Sequence, residues 1–155
     1  MRTFADWDEL VACVGQDIGC SDWLTITQAQ IDGFAQATGD HQWIHVDPER
    51  AAQGPFGATV AHGFLTLALL PHFFSTTYTV QTPSMGVNYG LNRVRFMAPV
   101  RVNSRLRALL HLQAFEKIAA STWQLTWQVS VYCEGQDKPV CVAEYLVRRY
   151  PPQVT

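Results

Sequence analysis

The sequence predicts an α+β fold in which one apolar helix is wrapped by a curved antiparallel sheet. Three observations carry this. The run from Val60 to Phe74 is apolar almost all round, the pattern of a helix buried on every side. The second half of the chain alternates apolar and polar residues over long stretches, the period of half-buried strands. Helical signals stop where strand signals begin, and such segregation belongs to α+β rather than βαβ chains.

The elements follow in order. Phe4, Trp7, Leu10, Val11 and Val14 fall at helical spacing, with Gly15 as a C-cap, so a short amphipathic helix is expected at the N-terminus. Asp22 to Ile26 alternates and reads as a strand. Thr27 and Gln30 form a capping box, Thr at the N-cap and Gln at N3. Ile31, Phe34, Ala35 and Thr38 make one face of the helix that follows, and Gly39 supplies its left-handed end. Residues 40–46 read as a loop. Asp47 before Pro48 is an N-cap with proline at N1, opening a short helix through Ala52.

Residues 53–57 are turn-rich. The apolar helix then spans about 22 Å at 1.5 Å per residue, and Pro71 is expected to kink or end it. Four strands complete the chain. One covers Met85 to Met97. In the next, Val102, Ser104, Leu106, Ala108, Leu110 and Leu112 line one face, and Arg101, Asn103, Arg105, Arg107 and His111 the other. Trp123 to Val131 is the third. Residues 134–139 turn into a return strand from Val140 to Arg149. The tail, 151–155, is expected to fray.

The totals bound the function. At 155 residues the chain is read as one domain, 1–155, with enough length to bury a core. Charged residues make up 15%, against roughly 25% in ordinary soluble domains. So little charge implies that part of the surface is covered in an oligomer. A net charge of −2 excludes the basic excess of a nucleic-acid surface. Cys13, Cys20, Cys133 and Cys141 show no C-x-x-C spacing and are expected to be free thiols. No secretion signal is evident at the N-terminus, and no apolar run approaches the ~20 residues of a membrane span. A cytoplasmic protein without membrane or nucleic-acid partners is expected.

Chemistry concentrates in Thr38-Gly39-Asp40-His41-Gln42-Trp43-Ile44-His45, followed by Val46-Asp47-Pro48. A carboxylate and an imidazole five residues apart can hold one water and move its protons. Ala61-His62-Gly63-Phe64 then opens the apolar helix. Taken singly, Asp40 reads as a turn cap after Gly39, and His45 as a structural imidazole. Together with His-Gly and the buried helix, the catalytic reading is favoured.

With Arg95-Phe96-Met97-Ala98-Pro99-Val100 added, these motifs resemble the MaoC-like (R)-specific enoyl-CoA hydratase family, in its nodulation-protein-N-like branch. The resemblance covers roughly residues 20–148. It implies a hot-dog fold, usually dimeric, and reversible syn hydration of a trans-2-enoyl thioester to the (R)-3-hydroxyacyl thioester. It also implies that Asp40 and His45 hold the catalytic water and that the Gly63 N–H forms the oxyanion hole. The partners implied are an acyl-CoA or acyl-carrier thioester as substrate and a second copy of the chain, with no cofactor and no metal. Two features depart from the family pattern. Gln42-Trp43 stands where Asn-Pro is usual, and Pro71 falls where some members carry a serine that supports the Asp.

Other residues have plainer readings. His62 is expected to be structural, its ring bonding a loop carbonyl. His41 is read as exposed or at the site entrance, and His72 and His111 as without a role. No three-residue metal spacing emerges from the histidines. Arg101, Arg105 and Arg107 read as a solvated face, the alternative being contact with coenzyme A phosphates. Trp123 and Trp127 read as core or dimer packing. Asn88, Asn92 and Arg93 remain unplaced. Two other functions stay open: a hot-dog acyl-CoA thioesterase, disfavoured because Val60 to Phe74 holds no acidic residue, and a non-catalytic acyl-binding module.

Overall fold

The computed structural model describes residues 1–150; the expectation for the tail lies outside them. The chain opens with β1 (Arg2–Phe4), α1 (Trp7–Val11), β2 (Gln16–Cys20) and β3 (Leu24–Thr25). Next come α2 (Gln28–Thr38), α3 (Trp43–Val46), α4 (Pro48–Ala52), α5 (Gly63–Ala68) and α6 (Leu70–Thr77). Strands β4 (Tyr78–Val80), β5 (Met85–Phe96), β6 (Arg105–Ala119), β7 (Thr122–Cys133) and β8 (Cys141–Tyr150) complete it.

The main sheet runs β2-β6-β7-β8-β5, antiparallel throughout, with β3 also pairing β6. The alternation read from the sequence decides which face is inward. Leu106, Ala108, Leu110 and Leu112 of β6 are fully buried, as are Leu125, Val129 and Val131 of β7, and Trp127 nearly so. Arg105 and Arg107 lie outside, their guanidinium groups over the Trp23 ring, and Arg105 pairs with Glu134. The helix pair α5–α6 lies in the curl of this sheet. Phe74 meets Trp127 edge-on at 5.0 Å, and Tyr78 stacks on Trp127 at 5.4 Å.

Several expectations need correction. The helix predicted from Phe4 to Val14 is only α1; Phe4 instead sits in β1, which pairs parallel with β4. Gly15 is left-handed, as a C-cap would be, but it turns the chain into β2 and donates its N–H to Leu112 O. The expected second strand starts late, because Asn103 adopts a positive φ of 65° and the 101–104 segment turns. Residues 43–46 form one helical turn rather than a loop. Thr38 closes α2 on its exposed side, while Ile31 and Ala35 are fully buried.

The apolar helix begins at Gly63, not Val60. Val60 and Ala61 are extended and bond to the 100–101 segment. Pro71 interrupts the helix close to where it was expected to. It has no N–H to give Leu67 O, so the helix breaks at Leu69 and resumes as α6 with the proline in its first turn, where the missing donor costs least. Nor is the helix buried on every side: Phe64 is 68% exposed, and Ala68, Pro71 and His72 also face outward.

Candidate active site

The site is assembled from the end of α2, the turn α3 and the start of α5. Thr27 caps α2 with both halves of the capping box in place. Gly39 closes it at φ 77°, a left-handed conformation that glycine adopts at little cost. The chain emerges at Asp40, whose side chain is 55% exposed. One carboxylate oxygen faces the Gln42 N–H at 3.4 Å, so the turn-capping role coexists with a second, freer oxygen. On the other side of α3, Asp47 accepts the Arg50 N–H, and Pro48 opens α4.

His45 is buried. Its Nδ1 lies 2.6 Å from Val60 O, so Nδ1 carries the hydrogen and the neutral ring keeps its lone pair on Nε2. His62 is also buried, and its Nε2 lies 3.0 Å from Asp40 O. That is the loop carbonyl the sequence reading expected. The same nitrogen is 3.9 Å from the Asp40 carboxylate. The two imidazoles stack, with centroids 3.7 Å apart and planes 23° off parallel. Phe34 closes the other face of His62 at 5.0 Å.

Sequence spacing foresaw no three-residue cluster, yet Asp40, His45 and His62 each offer a ligand atom within 4.8 Å of the others. That is the size of a cation site and also a gap that one water can bridge. The stacking bears on the choice. Near-parallel rings hold their in-plane lone pairs side by side, not converging on one ion as tetrahedral ligation requires.

Gly63 is the first residue of α5, so its N–H has no acceptor within the helix. The absence of a side chain is required by packing as well. A Cβ there would stand 2.9 Å from the Phe96 ring. The structure therefore brings all three predicted site residues to one corner: Asp40 and His45 across the cluster, Gly63 one residue beyond His62.

The departures from the family pattern find partners. The Trp43 indole packs on Gly54, where a Cβ would meet it at 2.9 Å, and the Arg50 guanidinium lies over its ring. Pro71 borders two cavities. Asn88 accepts from the Tyr145 hydroxyl, and Asn92 donates to Glu144. The cysteines are free.

One residue that sequence reading missed holds the site together. The Gln28 amide donates to His45 O and to Asp32 Oδ1, both at 2.8 Å, and accepts the Thr59 hydroxyl. It ties the first turn of α2 to α3 and to the strand-like segment before His62. Its only signal in the sequence was a place inside a capping box, which says nothing about contacts 17 and 31 positions away.

A helix lying in the curl of a five-strand antiparallel path, with a carboxylate and imidazoles at the mouth of that helix, defines a hot-dog domain. The chain belongs to the MaoC-like dehydratase family: the MaoC like domain matches residues 9–131. It is 56% identical over 148 residues to 3-hydroxyacyl-thioester dehydratase Z of Mycobacterium tuberculosis, covering 96% of this chain and 98% of that protein. It is 47% identical to nodulation protein N of Rhizobium leguminosarum bv. viciae, covering 86% and 84%. The fold is shared with the solved R-hydratase PhaJ1 of Pseudomonas aeruginosa at TM-score 0.71, with 24% identity over 96% of this chain and 86% of that one. Among the described residues no helix is long and apolar enough to cross a membrane.

Proposed function

We propose that the protein is an (R)-specific enoyl-thioester hydratase, a hydro-lyase adding water reversibly and syn to trans-2-enoyl-CoA. One observation carries the reading: Asp40 and His45 come within one water's reach of each other beside the free N–H of Gly63. The relative at 56% identity, a 3-hydroxyacyl-thioester dehydratase, supports the same reaction class.

The chemistry follows from the tautomer. A water between the two groups gives one hydrogen to the Asp40 carboxylate and the other to the His45 Nε2 lone pair. Its own lone pair is left to attack C3 of the enoyl group. Asp40 takes the proton as the C3–O bond forms. Negative charge moves to the thioester oxygen, where the Gly63 N–H receives it. The abstracted proton returns to C2 on the same face, so one hydroxyl and one hydrogen have been added. His62 serves as a wall, holding His45 by stacking and the Asp40 backbone by its Nε2. No cofactor or metal takes part in this scheme.

The active form is proposed to be a homodimer. Strand β5 is an edge paired only to β8, and Met85, Val87, Tyr89, Leu91 and Phe96 on it are exposed, as is Phe64 beside them. An uncovered apolar edge of this length invites pairing with a second copy.

The test is turnover of trans-2-enoyl-CoA over a range of chain lengths, with chiral analysis of the product. Formation of (R)-3-hydroxyacyl-CoA is expected. Release of free thiol from saturated acyl-CoA would point to the thioesterase instead, and binding without turnover at any length to a non-catalytic module.

A further inference from the structure

Two cavities share walls along the helix pair. The first, about 480 Å³, is bounded by Phe34, Phe64 and Leu67 beside the catalytic corner and extends to Pro71, Asn88 and Tyr145. Those last three also border a second cavity of about 470 Å³ at the far end of α6. The wall the two cavities share at Pro71 lies about 12 Å along the helix pair from Gly63, a rise of eight residues at 1.5 Å each, within reach of a medium-length chain.

The near cavity is mostly hydrocarbon. The far one is built around the Arg149 guanidinium, which folds over Gly86 of the neighbouring strand. A Cβ on Gly86 would stand 2.5 Å from Nη1, so the glycine makes the room. Trp7 lies beneath at 5.1 Å. No acidic side chain lines this cavity, and among the described residues Arg149 has no carboxylate partner.

The polar groups around it are also unmet. Four buried side-chain polar atoms among the described residues have no hydrogen-bond partner: His62 Nδ1 at the catalytic corner, and the Tyr78 hydroxyl, the Ser84 hydroxyl and Arg149 Nε, all on residues lining this one cavity. The Arg149 guanidinium stands beside the Tyr78 hydroxyl, whose rise on burial it opposes by its charge and by marginal hydrogen bonding, short of a well-formed bond. Orphaned donors of this kind are costly unless a partner arrives. A methyl-ended chain offers them nothing. A carboxylate offers acceptors to the guanidinium and to both hydroxyls.

We propose that this cavity receives the distal end of an acyl chain that itself ends in a carboxylate. The preferred substrates are then 2-enoyl thioesters of medium-length dicarboxylic acids. The proposal rests on the hydratase reading for its chemistry but not for its binding.

The experiment is calorimetric titration with two saturated ligands of equal length, dodecanoyl-CoA and its ω-carboxy counterpart, alongside hydration of a short 2-enoyl-CoA by the same preparation. The wild-type chain is expected to bind the ω-carboxy ligand about tenfold more tightly, the scale of one charge-assisted hydrogen-bond set. Arg149→Met should erase that preference. Tyr78→Phe should reduce it and serves if Arg149→Met does not fold. Equal affinity of the wild type for the two ligands overturns the proposal, as does a preference that survives both substitutions. Hydration of the short substrate reports separately. If it fails while the preference holds, the hydratase reading falls and the anion-binding end stands.

Discussion

The rings of His45 and His62 lie face to face at 3.7 Å, and each reaches a backbone carbonyl at its edge. The pair therefore fixes one nitrogen of each ring. It leaves the His45 Nε2 lone pair without a backbone partner, as the proposed water shared with Asp40 requires.

Removing either acceptor from that water should stop hydration. Asp40→Asn and His45→Gln are each expected to lower kcat by about 100-fold or more, the span of a positioned acid–base group. Thermal unfolding should shift little for Asp40→Asn, since the side chain is largely exposed. Full activity in both variants would sink the dyad.

Gly63→Ala tests the oxyanion donor. The added methyl meets Phe96 at 2.9 Å, so either the ring or the start of α5 must move. A loss of about 100-fold in kcat is expected if the N–H is displaced. The double change with Phe96→Leu makes room for the methyl and should recover part of the rate. Failure of the second substitution to help would show that the glycine is needed for more than space.

Gln28 positions the site from outside it. Gln28→Leu leaves the buried Thr59 hydroxyl unmet and releases His45 O, a cost of about 1–3 kcal/mol. We expect kcat to fall with KM little changed. Gln28→Glu keeps an acceptor for Thr59 but has no donor for His45 O, so it should resemble the leucine variant in rate. A glutamate variant with wild-type kcat would exclude this role.

Stability should decline on the alkaline side. Burial pushes the Cys141 thiol from 9.0 up to about 11, so the folded chain holds that proton more tightly than the unfolded one. Ionisation above pH 9 then favours unfolding: the contribution is complete below pH 9 and is lost as pH rises through 11. Tyr78 and Tyr145, both raised by burial, extend the decline. Urea midpoints between pH 8 and 11 should fall, and Cys141→Ala should flatten the first part. Thiol alkylation at pH 8 should mark Cys20, the exposed cysteine, well before the buried three.

The sequence made the long strands and the corner of Asp40, His45 and Gly63 legible because their signals are local. Period-two alternation placed β6 and β7, the turn at 134–139 placed β8 after them, and Gly39, Asp40, His45 and the Asp47-Pro48 cap are read within a dozen residues of one another. What stayed hidden depends on partners far along the chain. Strand β1 exists only because β4 lies beside it, and three residues carry no period of their own. Gln28 and Arg149 look like ordinary surface residues until the fold brings Thr59, Gly86 and Tyr78 to them. The bare side of the apolar helix was also unreadable, since Phe64 looks like any core residue in sequence.

The break at Leu69 has a consequence for how this chain can change. Gly63 and its donor belong to the segment before the break, and the wall of the far cavity belongs to the segment after it. The junction between them lacks one rung of the ladder, so a repacked α6 transmits little tilt to α5. On the proposed reading, substitutions in residues 70–77 retune which tails are accepted while the Asp40 and His45 atoms stay in place. Reaction and reach are carried on separate pieces of one rod, free to diverge at different rates.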